Sequence, residues 1–286
     1  WKGLVGSEMC IRDRYKYMRN YQPFNVDGLY NFYRYKMLAY KEWYTLFQDG
    51  KLNDIQSQFF KPKSPESLYN IEEDPHETKN LANDIVYNDV LVTMREDLNN
   101  HLMSINDLSF LPEPYFLKNG IDDVVEYSAQ NKTLIKKLIE TSNLQLKDYD
   151  EVSSQIKNSL SDDNPWVRYW GLIVCSSFGS KAIENKDKIK VIFENDSENL
   201  VRMRAAEFML LNDIELNDSK INSLLKRSNF EAEANLMLNT LANIKTINPK
   251  YKLNLNKNVF PENWIPPIRE ENALVNRRMN YLTENE

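Results

Sequence analysis

Apolar positions change their period several times along the chain, and each change marks an element. Arg14–Asn20, RYKYMRN, alternates aromatic with basic residues at period two, which predicts a half-buried strand. From Gly28 to Asp49 the spacing lengthens. Leu29, Phe32, Tyr33, Lys36, Met37, Tyr40, Trp43, Tyr44 and Phe47 fall at three-and-four intervals, the pattern of one long amphipathic helix. Gly50 stands where its C-cap should be. Asn53–Phe60 predicts a shorter helix closed by Pro62, and KPKSPE leads as a loop into a second strand at Leu68–Ile71, expected to pair with the first.

The stretch that follows, LYNIEEDPHETKNLA over Leu68–Ala82, has the pattern of a strand-turn-helix corner. Asp74 occupies an N-cap position, Pro75 the first helical position, and Glu77 the third residue of a capping box, so a single helical turn is expected. Asn80 is expected in a left-handed conformation that stops the turn, with Leu81 folding back on the strand and His76 exposed. Asn83 or Asp84 can cap a further helix with apolar positions at Val90 or Leu91, Met94, Leu98, Leu102 and Ile105. Phe110–Pro114, FLPEP, stops that helix and is expected to begin an extended crossing.

From about Ile121 the pattern becomes helical hairpins with internal self-similarity. The run Asp163–Leu172 matches Ser197–Ala206, with Val167-Arg168 aligned on Val201-Arg202, and a weaker copy runs through Phe230–Leu241. A period of about 30 to 35 residues, with small residues at Gly171, Ala205, Ala206 and Ala234 allowing close helix approach, predicts HEAT-type repeats. Each arginine of the Val-Arg pairs is placed to reach acidic or carbonyl groups of a neighbouring repeat. Beyond Ile247 an extended tail packed by Phe260 and Trp264 is expected, with a short helix over Asn272–Leu282 and a frayed end.

The fold class predicted is therefore α+β followed by all-α. A small antiparallel sheet with packing helices occupies 14–118, helical repeats occupy 119–247, and the tail occupies 248–286. The first residues stand apart. Leu4–Asp13, LVGSEMCIRD, has neither period, and it reads as one frame of a transposon-type sequencing adapter whose codons give Glu8–Asp13. Residues 1–13 are accordingly expected to be a scar outside the fold. Cys10 then has no role, the protein proper begins near Arg14 in mid-domain, and an upstream portion is expected to be lost. The aromatic residues Tyr30, Phe32, Tyr33, Tyr35, Tyr40, Trp43, Tyr44 and Phe47 exceed what one helix face can bury. They either stack on sugar rings or pack against an absent domain, and the second reading is favoured because large apolar patches mark interfaces.

Composition narrows the function classes. The chain has 286 residues, 42% hydrophobic and 12% aromatic, enough for two domains with real cores. Its net charge of −6 argues against nucleic acid or anionic membrane as the main partner, and no apolar run reaches spanning length. Cys10 and Cys175 alone cannot build a disulfide framework or a multi-cysteine zinc site. His76 and His101 are separated by a helix and form no HExxH spacing, and neither a Gly-rich phosphate loop nor a GxSxG elbow is present.

Tyr69–Leu81, YNIEEDPHETKNL, resembles the C-terminal signature of sulfatases, commonly LYDL, a few acidic residues, then DPxExxNLA. Arg14–Asn20 is similar to the preceding family strand, and Gln56–Lys61 and Leu108–Pro114 also fit the family pattern. The likeness is greatest to bacterial heparan N-sulfatase-type enzymes, some of which carry HEAT repeats, and it covers about Arg14–Pro114. It implies an alkaline-phosphatase-like parent, periplasmic or extracellular, that hydrolyses sulfate esters or sulfamates of a carbohydrate. Such enzymes use a formylglycine made from Cys or Ser in a CxPxR motif and a calcium ion held by Asp and Asn.

No CxPxR occurs here. Cys10 and Arg14 have the right separation, but Arg12 replaces the proline. The resemblance therefore puts formylglycine, calcium and all catalytic residues in an absent N-terminal domain, expected to pack on the aromatic helix 28–49. No catalytic, cofactor-binding or metal-binding residue is assigned to any position of this chain. Two alternatives stand beside the sulfatase fragment: a non-catalytic HEAT-repeat interaction protein, and a fragment of a related phosphodiesterase.

Overall fold

The computed structural model describes residues 7–248, 251–261, 264 and 274–283. Ser7–Arg12 (β1), Tyr15–Asn20 (β2) and Glu66–Asn70 (β3) form an antiparallel sheet in that order. Tyr17 lies opposite both Cys10 and Leu68, so these three side chains share one face. On that face Tyr17 and Leu68 are fully buried and Cys10 is half-buried against the core.

Residues up to Asp13 were expected to stand outside the fold, and this is corrected: Ser7–Arg12 pairs along the whole of β2 through a tight turn in which Asp13 takes a left-handed φ of 54°. The pairing is carried by backbone groups, which any extended segment can supply. Met9 and Ile11 point to the uncovered face and remain exposed, which is why no side-chain period announces the strand.

Between β2 and β3 the predicted long helix is two helices, Phe32–Lys36 (α1) and Leu38–Gln48 (α2), broken at Met37, whose backbone is extended (φ −78°, ψ 120°). Neither proline nor glycine breaks it. Arg34 Nη1 donates to the carbonyls of Asp27 and Leu29, and Tyr35 OH donates to Gly28 O, so α1 is tied back onto the preceding loop. Asp54–Ser57 (α3) follows, opened by a capping box between Asn53 and Gln56 and extended by a 3-10 turn over Gln58–Phe60. The aromatic residues pack largely on one another. Trp43 stacks on Phe59 and Phe47 on Phe60, each pair 4.8 Å between ring centres.

A 3-10 turn capped by Asp84 leads into Asn88–Ile105 (α4), which buries Leu91, Met94, Leu98 and Leu102 and packs on β1 and β2. Ile105 is exposed, and Asn106 closes the helix in a left-handed conformation. The extended crossing expected at Phe110–Pro114 is instead a 3-10 turn, Leu108–Phe110, followed by helix Glu113–Asn119 (α5). Pro112 at the N-cap and Pro114 in the first turn lie where a missing N–H has no helical partner to lose, so they start a helix rather than prevent one.

Val124–Gln130 (α6), Lys132–Ser142 (α7), Tyr149–Ser159 (α8), Pro165–Phe178 (α9), Lys186–Asn195 (α10), Asn199–Leu211 (α11), Asp218–Lys226 (α12) and Glu231–Ile247 (α13) complete the array. Helices α7, α9, α11 and α13 stack side by side, with α8 against α9 and both α10 and α12 against α11. Helix α9 is apolar nearly all round and buried on every side, as a central helix must be.

The N-terminal unit covers part of this row. Tyr21 packs edge-on against Phe110 and Trp170, Trp170 Nε1 donates to Phe110 O, and Asn243 Nδ2 donates to Asn25 Oδ1. One buried apolar cluster consequently runs from Tyr17 to Leu282. In the tail, Leu253, Leu255 and Phe260 are buried, and Leu274–Thr283 (α14) packs on α13. Residues 249–250, 262–263, 265–273 and 284–286, which include parts of the predicted tail and its frayed end, lie outside the described residues.

Candidate functional site

The corner after β3 is built by side chains that imitate backbone. No helical turn forms over 75–79, because Glu77 takes a left-handed φ of 54° and interrupts it. The capping role of Asp74 survives in another form: its carboxylate accepts from Lys79 N at 2.7 Å and from Thr78 Oγ1 at 3.1 Å. The Lys79 N–H is the main cause that holds this carboxyl below its usual range. Glu77 is turned toward Lys16, whose Nζ lies 2.7 Å from both carboxylate oxygens.

Asn80 is not the left-handed residue. Its Oδ1 accepts from Leu68 N and Ala82 N, while its Nδ2 donates to Glu66 O and Ser67 Oγ, so the amide pairs with the free edge of β3. Leu81 does fold back, donating its N–H to Leu68 O at 2.8 Å and burying its side chain.

Behind the corner lies a polar network that the sequence pattern does not show. Arg95 binds Glu66 in a two-pronged ion pair at 2.9 and 2.6 Å, and Tyr17 OH donates to the same carboxylate at 2.9 Å. Burial and the adjacent Glu66 charge push the Tyr17 phenol well above its ordinary value, so it acts as a donor and not as an acid near neutrality. Arg19, on the same sheet face, is buried with no carboxylate partner and donates to the carbonyls of Asn20, Pro65 and Ser142. In the array, Arg204 donates to Glu207 and to Tyr169 OH within a fully buried trio. Arg168 of α9 reaches Asp196, which follows α10, through two bonds at 2.7 and 2.9 Å, whereas Arg202 reaches Phe193 O within its own hairpin.

None of these groupings has the composition of a reaction centre. His76 and His101 are exposed on different elements. The Cys175 thiol is buried in α9 and is pushed up to about 12 by that burial, which removes it as a nucleophile. Among the described residues no three His, Cys, Asp or Glu side chains are placed to hold a metal ion. Open depressions occur among the described residues. One of about 440 Å³ is lined by Leu38, Lys41, Glu42 and Asp49, and another of about 600 Å³ by Asn217, Asp218, Asn222 and Tyr251. Asp218 and Asn222 in the second already bind backbone of the tail. A calcium and formylglycine centre does not fit these donors, since Cys10 lies in β1 on the covered sheet face and Asp218 is committed to Asn254 N.

Sequence comparison supports a sulfatase-like region in the chain. It is 41% identical over 106 residues to an ulvan-active sulfatase of Formosa agariphila, a match that covers 36% of this chain. The same match covers 18% of that enzyme, so the chain spans under a fifth of the length of its curated relative. No family model matches, and no solved structure matches.

Proposed function

We propose that this chain is the C-terminal part of a sulfuric ester or sulfamate hydrolase, and that its own role is structural. The observation that carries the reading is the 41% identity to a sulfatase over a length comparable to Arg14–Pro114, together with the motif Tyr69–Leu81. Cleavage of a sulfate ester needs a nucleophile and a charge-stabilising cation, and the groups built here are ion pairs and caps. The reacting groups belong to a separate catalytic domain of the parent enzyme, whose substrate is a sulfated carbohydrate.

The side-by-side helices α9, α11 and α13, with α8 packed on α9 and α10 and α12 on α11, are HEAT-type repeats that act as a brace. The Arg168–Asp196 ion pair between α9 and the end of α10, the burial of Tyr21 against Trp170 and the Asn25–Asn243 hydrogen bond support that role over a free partner-binding array. The catalytic domain packs on the apolar surface left uncovered at α2 and α3, where Met37, Leu38 and Ile55 are each more than half exposed. The test is sulfate release from 4-nitrophenyl sulfate and from sulfated oligosaccharides by the purified chain. No release is expected from the chain alone, and release by it overturns the reading.

A further inference from the structure

Residues 251–260 lie along α12 with no regular secondary structure of their own, and their burial alternates. Leu253 and Leu255 are buried in the core cluster, while Lys252, Asn254 and Asn256 are exposed, which is the period of an extended chain. Side chains hold its backbone. Asn222 Nδ2 donates to Asn254 O at 2.9 Å, Asn222 Oδ1 accepts from Asn256 N at 2.7 Å, and Asp218 Oδ2 accepts from Asn254 N at 3.2 Å. In an extended chain these three groups share one edge, so Asp218 and Asn222, a turn apart on α12, supply what a neighbouring strand would. The Asn222 amide is fixed in orientation, because its Nδ2 also donates to Asp218 O at 2.9 Å.

None of the three bonds reads a side chain of the tail, and sequence enters through Leu253 and Leu255. Extended peptides are recognised by the same division: main-chain bonds hold them and alternate apolar side chains select them. Any extended segment with leucine-like side chains two residues apart can make these bonds. The tail has no ladder or helix of its own to lose on leaving, and the depression of about 600 Å³ lined by Asn217, Asp218, Asn222 and Tyr251 opens beside the contact. We propose that the α12 surface at Asp218 and Asn222 is a receptor for an extended Leu-x-Leu segment of a partner protein, and that residues 251–260 fill it as an intramolecular plug which that segment displaces.

The experiment uses the whole chain as receptor and a fluorescein-labelled peptide with the sequence of residues 251–260, YKLNLNKNVF, as probe, read by fluorescence anisotropy. In Leu253→Asp, Leu255→Asp the plug is loosened, and the peptide should bind saturably and about tenfold or more tighter than to the parent chain, where the tethered tail competes at high effective concentration. A peptide with both leucines replaced by aspartate should bind about tenfold or more weakly. Adding Asn222→Ala to the loosened chain should weaken binding of the unaltered peptide about tenfold. Should circular dichroism show that the double variant is unfolded, Asn256→Pro takes its place, since that side chain is exposed and proline removes only the N–H that Asn222 accepts. No peptide binding to a folded, loosened chain, equal binding to the parent, equal binding of the aspartate peptide, or undiminished binding after Asn222→Ala overturns the proposal.

Discussion

Arg19 donates to Ser142 O across 2.9 Å, a bond between β2 and the last carbonyls of α7. The guanidinium is buried, also donates to Pro65 O at 2.9 Å, and rests on the Tyr21 ring, 4.7 Å from its centre. A cation at a helix C-terminus is favoured by the helix dipole, and the carbonyl cluster takes the place of a carboxylate. Arg19 therefore fastens the sheet to the repeat array. Arg19→Met would leave those buried acceptors unpaired and should destabilise the chain on the order of 3 kcal/mol, read as a lower denaturant midpoint. A variant within experimental error of the parent would show that the bond holds nothing.

Asn80 offers a second test, because two readings of it predict opposite results. A left-handed cap would tolerate glycine well. The observed amide instead bridges Leu68 N, Ala82 N and Glu66 O, and glycine supplies none of those contacts. Asn80→Gly and Asn80→Ala should both cost roughly 1–3 kcal/mol, since each leaves the Leu68 N–H of a buried strand residue without its acceptor. Thermal unfolding of the two variants side by side decides it: a tolerated glycine restores the cap.

Helix approach in the array depends on Gly171. A Cβ there would run into Ser159 Oγ and press on Ser159 Cβ and the Leu160 side chain, where α8 crosses α9. Ser159 cannot simply turn away, because its hydroxyl donates to Ile156 O at 2.7 Å. Gly171→Ala should lower stability by about 1–3 kcal/mol despite alanine's better helix propensity. Gly171→Ala, Ser159→Ala should recover part of that loss, a double-variant cycle that isolates the contact.

Much of this was readable from side-chain period. The α4 positions Leu91, Met94, Leu98 and Leu102, the short helix begun at Asn53 and the chain reversal at Gly50, with its left-handed φ, depend on local rules, and these are found. What the period could not carry are features held by distant partners. The break at Met37 depends on carbonyls of Asp27, Leu29 and Gly28, strand β1 depends on the backbone edge of β2, and Arg19 looks like any surface arginine until Ser142 is brought to it. Glu77, and not Asn80, takes the left-handed conformation, and its carboxylate pairs with Lys16, far away in sequence. The corner's motif was legible as a label of class, while its network through Glu66, Arg95 and Tyr17 was not.

Glu198, at the start of α11, gives a pH-dependent prediction. Partial burial is the first cause that raises its carboxyl above the ordinary value of 4.5, and the like charges of Glu233 and Asp196 add to it, against Arg168 and Lys118. The folded chain thus holds the proton more tightly than the unfolded one. Such a group stabilises fully below its unfolded value, and that contribution is lost as pH rises through the raised folded value. At neutral pH the ionised Glu198 therefore works against folding. Glu198→Gln should raise the unfolding midpoint at neutral pH, and the gain should shrink as the pH is lowered toward and below 4.5. Unfolding curves of parent and variant across the acid range provide the measurement. A difference that does not change with pH would assign the effect to shape and not to charge.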